Sequence, residues 1–268
     1  MTRGLRVLPW ALLGSVLIGV VAARLLVGST GLGWPRGEYA GLVLELRVHR
    51  AGVAAIVGVA LGLSGVALQA LLRNPLAEPY ILGLSTGAGL GMMTQGYLAI
   101  QFGLGVGMKG FGAVAGTLTT LGIVFFASRR RGVIDRLGLL LVGVVLSTIN
   151  GALIMLLNYL AGPGVLRDGL AQWMMGMLQV RPWGWQDAMA ACLCAGVMAL
   201  LLWQGRAMDV ATLDDDEAAT LGVHVGRLKV LLLLSASVLT ATAVLIRSQP
   251  SLLKGITMPT RIRPTIRT

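Results

Sequence analysis

Apolar residues dominate this chain in seven long runs, which short polar segments separate. A helix that crosses a bilayer needs about 20 mainly apolar residues. The pattern therefore predicts an all-α fold, a polytopic helical membrane protein with seven spans. Their approximate bounds are Val7–Val27, Ala51–Leu72, Ile81–Ile100, Phe111–Ala127, Leu137–Leu160, Trp185–Trp203 and Val230–Ile246.

The polar break between the second and third runs is the most informative stretch. It carries two prolines within Asn74–Pro79, and a glycine-spaced run follows it. Irregular backbone at membrane depth is tolerated only where protein or water satisfies its polar groups, as in channels and transporters. We expect a kink followed by small polar residues that line a pathway, with plain helix packing as the alternative for the latter. These kink and pathway residues are Asn74, Pro75, Glu78, Pro79, Ser85, Thr86 and Gly87.

Glycines recur every four residues in several of the runs. Gly83, Gly87 and Gly91 share one helix face, and Gly112 and Gly116 share another, as do Gly58 and Gly62. In lipid, stripes of small residues let two helix backbones approach closely. We expect these stripes to lie at helix–helix contacts.

Composition and charge support a membrane protein and argue against a soluble or nucleic-acid-binding one. The 268 residues are 56% hydrophobic and only 12% charged, about half the charged fraction of soluble domains. The net charge of +11 comes from basic residues in short loops, where they set topology rather than form a phosphate-binding face. The cluster Arg129–Arg131 indicates a cytoplasmic loop, and with it a cytoplasmic N-terminus.

The loop between the sixth and seventh runs contains a predicted surface helix. Asp214 is placed to cap it, Glu217 follows three residues later, and Gly222 is placed to end it. A helix this short is unstable alone, so docking on another element is expected. A partner ATPase and a plain solvated loop are equally compatible with these residues.

Four sequence blocks together resemble the FecCD-type permeases, the membrane subunits of ABC importers for iron–siderophores, haem and cobalamin. The blocks are LRVHR at 46–50, LGLSGVALQALLRNPLAEPYILGLSTGAGLG at 61–91, LRDGLAQWMMG at 166–176 and DEAATLGV at 216–223. The resemblance runs from about residue 5 to about residue 246. It implies a ten-helix permease fold, of which this chain carries about seven helices.

The resemblance also implies partners and site residues. It implies a homodimer, two cytoplasmic ATPase subunits and a periplasmic substrate-binding protein, in the bacterial inner membrane. No cofactor is expected on this chain, and ATP belongs to the partner subunit because no GxxxxGK[ST] loop occurs here. Arg47 and Arg50 match a basic pair that meets the binding protein, with a headgroup anchor as the alternative. The ATPase-coupling helix matches Asp214, Asp215, Asp216, Glu217, Ala218, Ala219, Leu221 and Gly222.

Two segments depart from this family's pattern. The loop before the fifth span has Asp135 and Arg136 where small gate residues are expected, so no gate residue is assigned. Residues 247–268 form a basic tail without a span. Seven spans from a cytoplasmic N-terminus would place this tail outside, whereas basic residues are expected on the cytoplasmic side. We therefore expect a permease domain over 1–246 and, after it, a frameshift or truncation rather than a native short variant.

Three rival classes remain to be weighed against an importer subunit. A secondary transporter or channel would need an intramembrane acid or base, and the acids near the spans lie at span ends. A membrane enzyme would need convergent catalytic residues, and His49 and His224 stand on opposite sides in the predicted topology. A non-functional remnant is the third. No catalytic residue and no metal site is predicted, and the sequence does not identify the substrate.

Overall fold

The fold is seen in a computed structural model that describes residues 3–28, 31–102, 111–130, 133–160, 183–213 and 215–247. The described residues form nine helices, and the all-α prediction is confirmed. The helices are α1 (Arg3–Leu26), α2 (Ala40–Leu72), α3 (Leu84–Gln101), α4 (Phe111–Ala127), α5 (Arg136–Leu160), α6 (Trp185–Trp203), α7 (Gly205–Val210), α8 (Asp215–Thr220) and α9 (Val225–Arg247).

Two short antiparallel strand pairs lie between helices. β1 (Val27–Gly28) pairs with β2 (Gly31–Leu32), with Val27 opposite Leu32. β3 (Arg129–Arg130) pairs with β4 (Val133–Ile134), with Arg129 opposite Ile134. Both pairs are two residues long, so they shape loops and build no sheet core.

Each of the seven predicted spans coincides with a helix, and the main correction concerns the start of α2. The helix begins at Ala40 rather than near Ala51 and runs for 33 residues, about 50 Å at 1.5 Å per residue. The residues before Arg47 are largely apolar, including Leu42, Val43, Leu44 and Leu46, so nothing in them ends a helix. Arg47 and Arg50 therefore lie inside the helix instead of before it.

The membrane character of the helices follows from their length and composition. Three of the described helices are long and apolar enough to cross a bilayer: α2, α5 and residues 225–246 of α9. Shorter apolar stretches are Ala11–Leu26, Phe111–Ala127 and Asp187–Trp203. Large apolar side chains such as Ile18 and Leu141 are about 70% exposed on the outer surface, as expected of helices that face lipid.

Helix α9 forms the centre of the bundle. In the most apolar 18-residue stretch of α9, 72% of the residues are buried, whereas the corresponding shares are 28% in α2 and 22% in α5. Its inward positions Leu232, Leu233 and Ala236 pack with Leu68 and Leu71 of α2 in the main hydrophobic core. The hydroxyl of Ser64 on α2 donates to the Ala236 carbonyl at 3.1 Å and lies 3.1 Å from the Thr240 hydroxyl. Polar contacts of this kind hold helices together where hydrophobic burial gives little net gain.

The glycine stripes of α3 and α4 bring these two helices into backbone contact. A methyl group added at Gly91 would lie 2.0 Å from the Gly112 carbonyl oxygen, and one added at Gly87 would lie 2.1 Å from the Thr120 hydroxyl. A methyl group added at Gly116 would lie 2.1 Å from the Gly87 carbonyl oxygen. The packing interpretation of this stripe is therefore confirmed. Gly58 and Gly62 differ, because a methyl group on either would meet open space.

Candidate functional site

Helix α8 is a short acidic helix that ends in a well-formed cap. Its first turn carries Asp215, Asp216 and Glu217, where carboxylates favour the positive end of the helix dipole. At its end the Val223 N–H donates to the Ala218 carbonyl and the Gly222 N–H donates to the Ala219 carbonyl. This is a Schellman motif, and it requires the left-handed backbone that Gly222 adopts at φ 81°. The predicted helix and its end are confirmed, whereas Asp214 lies outside the described residues.

Asp215 ties α8 to three different parts of the bundle. Its Oδ1 accepts hydrogen bonds from Arg73 Nη2 at 2.9 Å and from Arg136 Nη2 at 2.5 Å. Its Oδ2 accepts one from Lys229 Nζ at 2.6 Å. Arg73 directly follows α2, Arg136 is the first residue of α5, and Lys229 lies in the first turns of α9. One carboxylate therefore connects α8 to the ends of three long helices, and we call Asp215, Arg73, Arg136 and Lys229 the Asp215 cluster.

The two arginines of the Asp215 cluster also satisfy backbone carbonyls. Arg73 Nε donates to the Ala211 carbonyl at 2.8 Å, and Arg136 Nε donates to the Leu71 carbonyl at 3.0 Å. Arg73 itself adopts a left-handed backbone (φ 50°) and ends α2, its N–H bonding the Gln69 carbonyl. Each arginine thus joins a helix end to the carboxylate, which fixes the position of α8 relative to the bundle.

The electrostatics of the Asp215 cluster favour the charged carboxylate. Partial burial alone would raise the pKa of Asp215, but hydrogen bonds from Lys229 and Arg136, together with their positive charges, lower it to about 2 from 3.8. The carboxylate therefore stays ionised at neutral pH and holds all three contacts at once.

The rest of α8 divides into one buried residue and an exposed face. Ala218 is fully buried against the bundle, and its small side chain allows the close approach. The side chains of Asp216, Glu217 and Ala219 are exposed, and so is that of Leu221, which directly follows the helix and is 62% accessible. The side of α8 that faces the bundle is fixed by Asp215 and Ala218. The exposed apolar side chain of Leu221, next to the acids, is therefore suited to contact another protein.

The residues predicted to form the kink do break the helix between α2 and α3. The Leu76 N–H donates to Asn74 Oδ1 at 2.9 Å, and Gln69 Nε2 donates to the Pro75 carbonyl at 3.0 Å. Glu78 is exposed and Pro79 is buried. The turn is therefore satisfied by its own side chains and backbone, as irregular structure near a membrane requires.

Two of the three residues predicted to line a pathway contact neighbouring helices instead of open space. Thr86 is buried, and its hydroxyl lies 3.4 Å from Asn150 Nδ2 of α5. The same amide lies 3.4 Å from the Thr120 hydroxyl of α4. Gly87 packs on Thr120 as described above, while Ser85 is partly exposed. A pathway role for Ser85, Thr86 and Gly87 stays a prediction. The polar contact at Asn150 was missed, although an amide inside an apolar run could have pointed to it.

The two arginines predicted to meet a binding protein lie in different environments. Arg47 is 94% buried, and its Nη1 donates to the carbonyls of Leu25 at 2.7 Å and Gly33 at 3.0 Å. It therefore caps the end of α1 and holds the following loop. Arg50 is half-buried, and its Nε has no hydrogen-bond partner among the described residues. Docking by this pair stays a prediction, and Arg50 is the member whose side chain has room for it.

A buried histidine–aspartate pair joins α2 to the start of α6, and sequence reasoning did not find it. His49 and Asp187 are almost completely buried, and His49 Nε2 lies 3.4 Å from Asp187 Oδ2. The same oxygen accepts the Gly184 N–H at 2.9 Å, which caps α6. Trp183 packs edge-on against His49 with ring centroids 5.0 Å apart. We call His49, Asp187, Gly184 and Trp183 the His49 cluster. No spacing in the sequence relates residues 138 positions apart.

The described residues contain no group of three His, Cys, Asp or Glu side chains arranged to hold a metal ion. The two polar clusters lie toward opposite ends of α2, since Arg73 follows its last residue and His49 is the tenth of its 33 residues. Neither offers a nucleophile paired with a base.

Comparison with known proteins matches this architecture to a transport family. The sequence model described as the FecCD transport family matches residues 9–249. This chain belongs to the FecCD transport family. The resemblance found in the four sequence blocks is confirmed. Members of this family are transport permeases rather than catalytic subunits, and the chain is a multi-pass integral membrane protein.

Individual relatives transport different cargoes. The hemin transport system permease protein HmuU of Yersinia pestis is 34% identical over 83% of this chain and 66% of its own length. The cobalamin import system permease protein BtuC of Halobacterium salinarum is 36% identical over 76% of this chain and 53% of its own length. The chain thus spans less than two thirds of the length of these curated relatives.

A solved structure shares the fold. It is described as an inward-facing conformation of a metal-chelate type ABC transporter, and its sequence is 28% identical to this chain. The superposition has a TM-score of 0.73 and covers 90% of this chain and 77% of the other.

Proposed function

We propose that this chain is the membrane-spanning permease subunit of an ABC importer that moves a metal chelate into the cytoplasm. The cargo class is an iron–siderophore, haem or cobalamin, since relatives named for hemin and cobalamin transport are 34% and 36% identical to this chain. The working assembly is a homodimer in the bacterial inner membrane with its N-terminus in the cytoplasm. Two ATPase subunits lie below it and a periplasmic binding protein docks above it.

The observation that carries this proposal is the attachment of α8. A six-residue helix cannot hold its shape alone, yet here it is tied through Asp215 to the ends of α2, α5 and α9. A partner that moved the exposed face of α8 would therefore move three long helices together. This is the arrangement needed to pass the closure of an ATPase dimer to the membrane spans, and we assign α8 as the coupling helix.

In this mechanism the chain supplies no chemistry to ATP. Leu221 and Ala219 provide apolar contact to the ATPase, while Asp216 and Glu217 contribute charge at the edge of that contact. The Asp215 cluster transmits the movement. The cargo then passes along the axis between two permease copies.

The test is co-expression of the chain with the ATPase and binding protein of its importer. Leu221→Asp should abolish ATPase co-purification and uptake of the radiolabelled chelate, because it places a charge in the apolar contact. His224→Asp is the matched control, since His224 is exposed three residues beyond Leu221 and past the Gly222 cap, and it should leave both intact. ATPase binding that survives Leu221→Asp unchanged would contradict the coupling assignment.

A further inference from the structure

A cavity of about 920 Å³ lies between α6 and α9, and at one end it reaches Asp215 and Lys229 of the Asp215 cluster. Its walls are Val197 and Leu200 of α6 together with apolar residues of α9. The volume lies within the range of about 300–1,000 Å³ that is usual for ligand pockets. The α9 wall consists of Val230, Leu231, Leu234, Ser235 and Val238.

The charges of this cavity are confined to one end. Arg129, Arg227, Lys229 and Asp215 line it there, beside the first turn of α9. Lys229 is bound to Asp215 at 2.6 Å, whereas Arg129 and Arg227 are exposed. Neither exposed guanidinium has a carboxylate partner among the described residues, and Arg129 rests over the Phe125 ring at 4.5 Å. The mouth of the cavity is therefore positively charged.

From its basic end to its apolar end, the α9 wall is about as long as one leaflet of a bilayer. Val238 lies 11 positions after Arg227, or about 16 Å at 1.5 Å per residue, of which the apolar stretch from Val230 to Val238 covers about 12 Å. The hydrocarbon core of a bilayer is about 30 Å thick, so one leaflet is about 15 Å. An occupant that satisfies both parts has a negatively charged head and an apolar chain about one leaflet long.

We propose that the cavity between α6 and α9 binds an anionic phospholipid. The phosphate-bearing headgroup lies between Arg129 and Arg227, and an acyl chain follows Val230, Leu234 and Val238 toward the membrane centre. The charge complementarity selects a lipid with net negative charge over a zwitterionic one, because a zwitterionic headgroup has no net attraction to the two arginines. Asp216 and Glu217 do not line this cavity and leave the mouth cationic.

The test is native mass spectrometry of the full chain in mild detergent, titrated with phosphatidylglycerol or phosphatidylcholine. We expect retained phosphatidylglycerol and little phosphatidylcholine. Each basic residue near an anionic headgroup contributes about a fivefold preference, so Arg129→Gln with Arg227→Gln should weaken phosphatidylglycerol binding about 25-fold. Arg36→Gln with Arg206→Gln removes two exposed arginines that do not line the cavity and should change binding less than twofold.

A second variant examines the apolar part with the charges intact. Leu234→Trp adds bulk to the α9 wall at a half-exposed position and should also reduce phosphatidylglycerol binding. Both arginine pairs lie on the surface, so equal unfolding midpoints will show that loss of binding is not loss of fold. Equal binding of the two lipids, or full binding after the Arg129 and Arg227 changes, would overturn the proposal. So would a dimer that Leu234→Trp dissociates without loss of lipid, since the cavity would then be a protein–protein interface.

Discussion

The two polar clusters toward the ends of α2 are each built around one aspartate, but they differ in their partners and in their burial. The Asp215 cluster is partly exposed, with its carboxylate side chain 38% accessible, and it holds a short helix whose outer face is free. The His49 cluster is closed, with side-chain exposures of 1% and 0% for His49 and Asp187. One end of the bundle therefore presents an exposed helix face beside its acid, whereas at the other end the acid and the histidine are completely buried.

Burial explains the difference between the two clusters. An exposed carboxylate exchanges its protein partners for water at little cost, so a cluster of this kind can move without unfolding the bundle. A buried acid that loses its partners keeps the full penalty of desolvation. We expect substitutions to separate the clusters by their effects on stability and on transport.

Asp187→Ala should give the largest loss of stability. It leaves the buried His49 side chain and the Gly184 N–H without their shared partner, and we expect a loss of about 3 kcal/mol. Thermal unfolding in detergent measures this loss. The control is Asp209→Ala, which removes an exposed acid from α7. Equal unfolding temperatures of the two variants would show that the His49 cluster does not stabilise the fold.

Gly52→Ala should be the next largest perturbation at the closed end. The added methyl group would lie 2.5 Å from the Trp183 ring, so the ring has to move away from His49. We expect a cost of about 1–3 kcal/mol together with a shift in tryptophan fluorescence. Gly58→Ala on the same helix meets open space and should be neutral or slightly stabilising, because alanine favours a helix. Equal effects of the two substitutions would refute the close contact.

Asp215→Asn should affect stability less and transport more. The side chain is over a third exposed, so screening limits the cost to about 1 kcal/mol. The loss of the ion pairs frees α8 from α5 and α9, and chelate uptake driven by the ATPase should fall at least tenfold, since a coupling contact of about 1.4 kcal/mol is worth that factor. Asp216→Asn, on the exposed face, is the control for charge alone. Normal uptake by the Asp215→Asn variant would show that the Asp215 cluster is not needed to couple the ATPase to transport.

The smallest effect concerns pH. Because the pKa of Asp215 is lowered to about 2 from 3.8, its contribution to stability is fully present above about pH 4 and is lost as the pH falls through about 2. The difference in unfolding free energy between the wild type and Asp215→Asn should therefore stay constant from pH 5 to 8. It should shrink only toward pH 2. If this difference in unfolding free energy changed between pH 5 and 8, a group other than Asp215 would be responsible for the change.

Much of the architecture could be predicted because it depends on local patterns. Long apolar runs specify helices, and the two prolines with Asn74 specify a turn whose bonds are made within a few residues. The end of α8 at Gly222 was predictable for the same reason, since a Schellman cap needs only neighbouring residues. The start of α2 was misplaced because the residues before Arg47 contain no helix-ending feature.

The partners of the site residues could not be predicted, because they come from distant parts of the chain. Asp215 was expected to be an acid at a helix start, yet Arg73 and Arg136 reach it from 142 and 79 positions away. The glycine stripes were alike in sequence, but Gly91 meets the Gly112 backbone and Gly58 meets nothing. By itself the sequence determined an all-helical membrane chain, its turns and its family, since these follow from hydrophobic periodicity and short motifs. Only the tertiary structure decided which charges pair and which arginine is buried, because burial and distance are properties of the packed helices.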